Sequence, residues 1–348
     1  MRFITLSRIN RRRWNTFQTN KKGYYSLLLL LTLFGLSLCA ELVANDKPYM
    51  LKYGSHYYFP MMEECPETLF GGEFHTQADF RDPAVQKMIR KKGWMVWPPV
   101  RFSYDTINFS CPEPFPAPPS MKNPLGTDEN GRDVFARVLY GFRLSMFFGL
   151  ALATIGSAGG ILVGAYLGYK GGWTDILGQR FMELWGGLPL TYLLIILASF
   201  TEPTFWMLLG IMLLFSWMRL VDVVRAEFLR CRNLEYVKAA RALGVSESGI
   251  MLRHILPNAL VATLTFMPFI LNGSITTLTS LDFLGFGLPP DSPALGELLA
   301  QGKANLHAPW IGISAFGILG LLLAMLVFIG EAARDAMAPF SNNEKEKR

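Results

Sequence analysis

The hydrophobic pattern of the chain is dominated by long apolar runs separated by polar, charge-bearing connections. Several runs reach the roughly 20 residues that a bilayer-spanning helix needs. The first covers residues 24–43 and carries no Lys or Arg in its interior; the others are centred near Leu152, Leu194, Leu213, Phe269 and Leu322. The pattern predicts an all-α membrane protein with six transmembrane helices, and an even count puts both termini on one side. A leucine run preceded by basic residues could also be a cleaved signal peptide. This run is long for that role, and no small-x-small triplet follows it in the right place. Leu38 is bulky where a lipidation site before Cys39 needs a small residue, so the run is read as a retained anchor.

Charge sets the orientation. Residues 1–23 hold Arg2, Arg8, Arg11, Arg12, Arg13, Lys21 and Lys22 with no acidic residue, and the connection after the fourth run adds Arg219, Arg225, Arg230, Arg232, Lys238, Arg241 and Arg253. The turn after the second run brings Lys170 and Arg180. The connection around Thr201 has no basic residue, and that of 282–309 has only Lys303. Basic loops stay inside, so both termini are predicted cytoplasmic. The net charge of +6 follows from this asymmetry and calls for no nucleic-acid partner.

By composition the chain divides into a basic tail and first helix (1–43), an enlarged exported, periplasmic insertion (44–133), a core of five further helices (134–340) and a charged cytoplasmic tail (341–348). The insertion is polar, aromatic and proline-rich. It ends in Cys111-Pro-Glu-Pro-Phe-Pro-Ala-Pro-Pro119, a run read as a stiff extended tether, and mainly irregular structure is expected in it. Cys65 and Cys111 both fall there. They could pair, closing a loop worth about 4 kcal/mol in the chain-entropy model, or be two unrelated thiols. No Cys or His spacing suggests a metal site.

Gly156, Gly160, Gly164 and Gly168 recur every four residues in the second span and form one side-chain-free stripe for close helix packing, within this chain or against a partner. Pro189, and Pro268 with Gly273, mark expected kinks. The fifth span is polar, with Asn272, Ser274, Thr276, Thr277, Thr279 and Ser280; interhelical hydrogen bonding is the usual use of such groups. Asn272 and Thr276 are the candidates for lining a translocation path.

The connection of 222–258 reads Glu235-Tyr-Val-Lys-Ala-Ala-Arg-Ala-Leu-Gly244-Val-Ser-Glu-Ser, then Ile250-Met-Leu-Arg-His-Ile-Leu-Pro-Asn258. It predicts a helix, a break and a second helix. Gly244 suits a positive φ at the first helix's end, Ser246 can cap the next, and Pro257 opens the following span. Two short helices around an Ala/Gly knuckle suit docking into another protein's groove; a partnerless polar loop is the plain alternative.

The stretch 239–257 resembles the EAA coupling loop of ABC-importer permeases, which seats in a cleft of the ATPase subunit. The resemblance extends over nearly all of 122–340. Asn123-Pro-Leu-Gly-Thr-Asp-Glu-Asn-Gly-Arg-Asp133, Gly141-Phe-Arg-Leu-Ser145, Arg253-His-Ile-Leu-Pro-Asn258, Phe283-Leu-Gly-Phe-Gly287 and Ala308-Pro-Trp310 are similar to the dipeptide/oligopeptide/nickel permease group. The long insertion, with Leu278 and Asp282, is most similar to the Yej-type branch, implicated in uptake of oligopeptides and of the peptide antibiotic microcin C. The resemblance implies coupling residues Ala239, Ala240, Arg241, Gly244, Val245, Leu256 and Pro257. It further implies a second permease subunit, ABC ATPase subunits, a periplasmic peptide-binding protein and location in a bacterial inner membrane, with lipid around the spans. Lys238 stands where the family has its motif Glu, and Leu278 and Asp282 depart from Glu and Ser, so roles assigned to those groups are not carried over.

No P-loop occurs, and neither Gly-x-Ser-x-Gly nor His-Glu-x-x-His is present. The chain is therefore expected to be a permease with no catalytic residues and no cofactor of its own, moving peptide by alternating access driven by partner ATPases. The rival class is a membrane-anchored receptor or structural protein acting through its exported segment. A membrane enzyme would lack intramembrane acid and base groups, and a secondary transporter would leave the coupling loop without a purpose.

Overall fold

The computed structural model describes residues 8–72, 74–109, 111, 113–198, 200 and 203–337; Arg2, Thr201 and the expected tail of 341–348 lie outside the described residues. A basic helix α1 (Arg8–Thr19) leads into α2 (Lys21–Leu38) and one further turn, α3 (Ala40–Val43). A small lobe follows, with strands β1 (Met50–Tyr53) and β2 (His56–Tyr58), helix α4 (Pro83–Lys92) and strand β3 (Gly93–Val96). The bundle then comprises α5 (Val134–Lys170), α6 (Gly172–Gly186), α7 (Leu190–Ala198), α8 (Phe205–Ser216), α9 (Met218–Cys231), α10 (Glu235–Ala242), α11 (Glu247–Gly249), α12 (Leu256–Phe283), α13 (Leu295–Ala304) and α14 (Pro309–Met337).

Among the described residues, four helices are long and apolar enough to cross a membrane: α5, the joined α8–α9 (Phe205–Cys231), Thr263–Phe283 of α12, and α14. Helices α6 and α7 make a fifth if taken as one broken span, bent by 55°. The expected kink at Pro189 is that break. At Pro268, by contrast, α12 runs on without interruption. Helix α2 falls short of the same measure because it has only 18 residues and opens on Lys21 and Lys22. It nonetheless packs into the bundle: Leu30 joins Met146, Leu322 and Leu326 in the central apolar cluster, and Gly23 lies against Ala332 of α14.

The spine of the bundle is α5, which has no proline and spans about 55 Å at 1.5 Å per residue. Asp133 caps its first turn, with Oδ1 accepting from the Ala136 N–H at 2.7 Å. The glycine stripe on α5 faces the α8–α9 helix of the same chain, which answers the question of where it packs. A Cβ built at Gly156 would lie 2.4 Å from Ser216 Oγ; at Gly160, 2.5 Å from the Trp217 carbonyl; at Gly164, 2.7 Å from that of Val221; at Gly168, 2.6 Å from that of Arg225. Backbone therefore rides on backbone for about two turns from Gly160 to Gly168, with the Ser216 side chain against Gly156 beyond it.

The lobe is mainly irregular, as expected, around one small sheet and one helix. Strands β2-β1-β3 form an antiparallel sheet, with Leu51 opposite Tyr58 on one side and Met95 on the other. Helix α4, capped by Asp82, buries Val85 and Ile89 with Leu51, Cys65, Phe70 and Phe80. Alternation over three or four residues is too short a signal to have announced these strands. Nor is the proline run a free tether. Ala117 is pinned to Thr127 by two hydrogen bonds, N–H to Oγ1 at 2.8 Å and carbonyl to the Thr127 N–H at 2.9 Å.

Cys65 and Cys111 are not paired in this structure. Both are free thiols, Cys65 buried in the lobe's aromatic cluster and Cys111 half-buried in the loop outside it. The lobe closes where it began, since the Asn45 N–H donates to the Val100 carbonyl and the Val100 N–H to that of Val43, each at 3.1 Å. It is tied to α5 by Tyr140 Oη donating to the Ala44 carbonyl at 3.0 Å and by Arg143 on Glu41 at 2.8 Å.

Gly164→Leu is expected to cost on the order of 3 kcal/mol or to abolish folding, because its side chain meets backbone that cannot yield. Gly320→Ala on α14, where a Cβ meets nothing within 4 Å, is expected to be neutral. Thermal unfolding of the two variants in detergent checks the contrast.

Candidate functional site

The two ends of α5 carry different chemistry. At its C-terminal end lies the helix–break–helix unit. Helix α10 buries Val237 and Ala240 against Phe228 and Ile250, and Gly244 then reverses the chain at φ +78°. Ser246 caps α11, its Oγ accepting from the Gly249 N–H at 3.3 Å. A six-residue π-helical stretch (Ile250–Ile255) carries the chain into α12, where Pro257 sits in the first turn. Arg241 reaches across the break to Glu247 at 3.2 Å, and both meet the Tyr169 hydroxyl at the end of α5. The knuckle is thereby held to the spine of the bundle.

Of the residues expected to couple, Ala239, Arg241, Gly244 and Pro257 are exposed, Val245 and Leu256 are half-buried, and Ala240 is buried beneath them. The exposed members and the buried ones thus form a surface and its support. The surface also includes Leu243, 84% exposed, and Leu252, 62% exposed, which were not singled out as site residues. Lys238 pairs with Glu235 at 2.9 Å on the outer side of α10.

At the N-terminal end of α5, motifs far apart in sequence converge on a buried charge cluster. Asp128 and Arg137 are fully buried and paired, Arg132 approaches Asp128 at 3.1 Å and Glu297 at 3.6 Å, and Arg137 also binds Glu297. Two cations meet two buried or half-buried anions, with the exposed Asp291 4.0 Å from Arg132 at the edge. Arg137 Nη2 donates to the Ser292 carbonyl at 3.0 Å and Arg132 Nη1 to that of Pro290 at 3.2 Å, which latches the α12–α13 connection onto α5. Trp310 Nε1 donates to the Thr127 carbonyl at 3.1 Å, bringing the Ala308-Pro-Trp310 motif to the same place. Burial pushes the Glu297 carboxyl up, against the pull of Arg137. Burial likewise pushes Asp133 up to about 6, outweighing the N–H bonds from Ala136 and Asn123 that favour its ionised form.

The two expected pathway residues separate. Asn272 donates Nδ2 to the Leu323 carbonyl of α14 at 2.9 Å, which is interhelical bonding, whereas Thr276 is exposed. Ser274, Thr277 and Ser280 bond back to carbonyls four residues earlier in α12. Leu278 is buried, and Asp282 accepts from the Leu288 N–H at 2.9 Å; both sit in structural roles. Among the described residues no group of three or more His, Cys, Asp or Glu is arranged to hold a metal.

The family described as "Binding-protein-dependent transport system inner membrane component" matches residues 160–339, which include Gly160, Gly164 and Gly168 of the glycine stripe, the knuckle and the last two apolar helices. The chain belongs to this family. Its similarity to the inner membrane ABC transporter permease protein YejE of Escherichia coli K12 is 57% identity over 96% of this chain and 98% of the relative. To the peptidoglycan transport system permease protein YejE of Agrobacterium fabrum it is 52% identical over 94% of this chain and 92% of the relative. To the oligopeptide transport system permease protein OppC of Mycobacterium tuberculosis H37Rv it is 34% identical over 71% of this chain. This binding-protein-dependent permease is thus of the Yej type within the oligopeptide-permease group. It is a multi-pass inner-membrane component of an ABC transporter and not an enzyme.

In this permease, Arg137→Met leaves Asp128 and Glu297 to share Arg132, two buried anions on one cation, and is expected to cost about 3–5 kcal/mol. Arg143→Met, which removes a half-exposed pair, should cost under about 1 kcal/mol; detergent unfolding curves compare the two. Asp133 gives a pH dependence. Between 3.8 and about 6 the folded chain holds a proton that the unfolded chain has released. That stabilisation is full below 3.8 and is lost as pH rises towards 6, by at most about 3 kcal/mol. Unfolding temperatures measured between pH 4 and 7 should fall across this window in wild type and less in Asp133→Asn.

Proposed function

We propose that this chain forms half of the translocation path of an ATP-driven peptide importer, with a second permease subunit as the other half. Helix α2 is the first of six spans and α6–α7 together form the third. Both termini and the knuckle then lie in the cytoplasm, and the lobe between α3 and α5 lies in the periplasm, where a peptide-binding protein delivers substrate. The basic α1 and the Arg-rich end of α9 favour that orientation.

The observation that carries the reading is the exposed knuckle, in which Gly244 turns the chain between two short helices braced on α5 by Arg241, Glu247 and Tyr169. Exposed Leu243 and Leu252 give it an apolar contact for an ATPase groove. Closure of two ATPase domains on ATP pulls this unit, and the brace passes the displacement to α5. ATP and the loaded binding protein shift the inward–outward equilibrium only in so far as each prefers one state. Peptides are the substrates, with oligopeptides and peptide antibiotics such as microcin C as candidates. The name of the Agrobacterium relative adds peptidoglycan-derived peptides as a second candidate.

Purification of the tagged chain from native membranes in mild detergent should recover a second permease and an ATPase with hydrolytic activity. Gly244→Asp adds a side chain where nothing lies within 4 Å but where φ is +78°, so about 1 kcal/mol of strain is expected and the chain should still fold. ATPase recovery and peptide uptake should both fall at least tenfold. Normal uptake in this variant would remove the coupling role.

A further inference from the structure

Where α6 breaks before α7, a cavity of about 790 Å³ opens against α8 and α9, lined by Gln179, Glu183, Phe215, Met218, Arg219 and Asp222. Its size falls within the roughly 300–1,000 Å³ of small-ligand sites. Arg219 is the first charged residue along the Phe205–Cys231 helix, about 21 Å from Phe205 at 1.5 Å per residue. Neighbouring charges are matched, Arg225 with Asp175 and Arg180 with Glu183. Arg219 and Asp222 are exposed and, among the described residues, make no ion pair.

An ionised side chain at that depth avoids lipid and faces water or another protein. Broken helices at membrane depth are tolerated where they line such a cavity. Arg219 is also placed by its surroundings. Its guanidinium lies across α12 at Gly273, where a Cβ would sit 2.9 Å from Nη1. Exposed Thr276 lies one turn further along α12.

Three residues apart on one helix, Arg219 and Asp222 have Cβ atoms about 5–6 Å from each other. A simple anion at Arg219 would leave the Asp222 charge facing it unanswered. A zwitterion answers both. An extended chain of two or three residues spans at most about 7–11 Å, within reach of the two side chains together.

We propose that this cavity is a peptide-binding site in the translocation path, with Arg219 taking the terminal carboxylate and Asp222 the terminal ammonium of a short peptide. The assignment rests on the peptide-importer reading above, and the second permease closes the open side. The planar guanidinium suits a carboxylate through two parallel hydrogen bonds.

The test uses the complete transporter with its binding protein in proteoliposomes, driven by ATP. One tripeptide is supplied in three forms: free, C-terminally amidated and N-terminally acetylated. The readouts are the free/amide and free/acetyl uptake ratios, in which differences in assembled amount cancel. The binding protein's own preference is common to all variants. Arg219→Gln is expected to lower the free/amide ratio at least tenfold while leaving free/acetyl in place, and Asp222→Asn to do the reverse. Arg219→Lys should retain part of the preference. Gly273→Leu, which displaces the guanidinium, should lower free/amide as Arg219→Gln does, and it carries the prediction if Arg219→Gln does not assemble. Unchanged ratios in these variants, or equal loss of all three forms, would overturn the site. Wild-type import of all three forms at one rate would overturn it alone and leave the importer reading standing. Wild-type import of none would remove the peptide reading and this site with it.

Discussion

The close approach of α5 and the α8–α9 helix is the constraint on which the rest of the structure depends. Gly160, Gly164 and Gly168, at four-residue spacing, bring backbone within contact of backbone, with nothing between them to compress or re-pack. Contacts of that kind do not slide, because any change of register drives a carbonyl into a Cα. The pair therefore sets the position of everything attached to it: the knuckle at one end of α5, the charge latch at the other, and the broken α6–α7 segment that follows it in the chain.

Seen this way, the motifs shared with the oligopeptide-permease group divide by position into two kinds. Asn123 to Asp133 and Ala308 to Trp310 gather around the N-terminal end of α5, where Asp128, Arg137 and Thr127 are buried and the connection at Pro290 and Ser292 is latched beside them. Arg253 to Asn258 and the α10–α11 knuckle gather at the opposite end and leave side chains in the open. The first kind is architecture and the second is available for contact. Motif density alone does not distinguish them, since both read as clusters of Gly, Pro and charge; burial does.

Long apolar runs, the glycine stripe and the Gly244 break were legible in the sequence because each depends on local chemistry with a fixed period or a fixed φ. The lobe was not. Its strands are three or four residues long, and their pairing of Leu51 with Tyr58 and Met95 joins residues up to 44 positions apart. The partner of Asn272 was not legible for a related reason: a lone amide in an apolar helix looks the same whether it meets water or the Leu323 carbonyl. Arg219 was counted among the basic residues beyond the fourth apolar run. The helix that resumes at Met218, after a turn at Trp217, carries it on the joined α8–α9 segment.

The closure of the lobe on itself has an evolutionary consequence. Because the chain leaves the bundle beside Ala44 and returns beside it at Val100, bonded across the gap in both directions, the intervening residues form a self-contained loop whose removal or exchange need not move α3 or α5. Its core of Leu51, Phe70, Phe80 and Ile89 is its own. Such a junction lets a transporter lineage acquire, trade or discard a module of this kind by a single insertion event while the helical bundle is inherited intact.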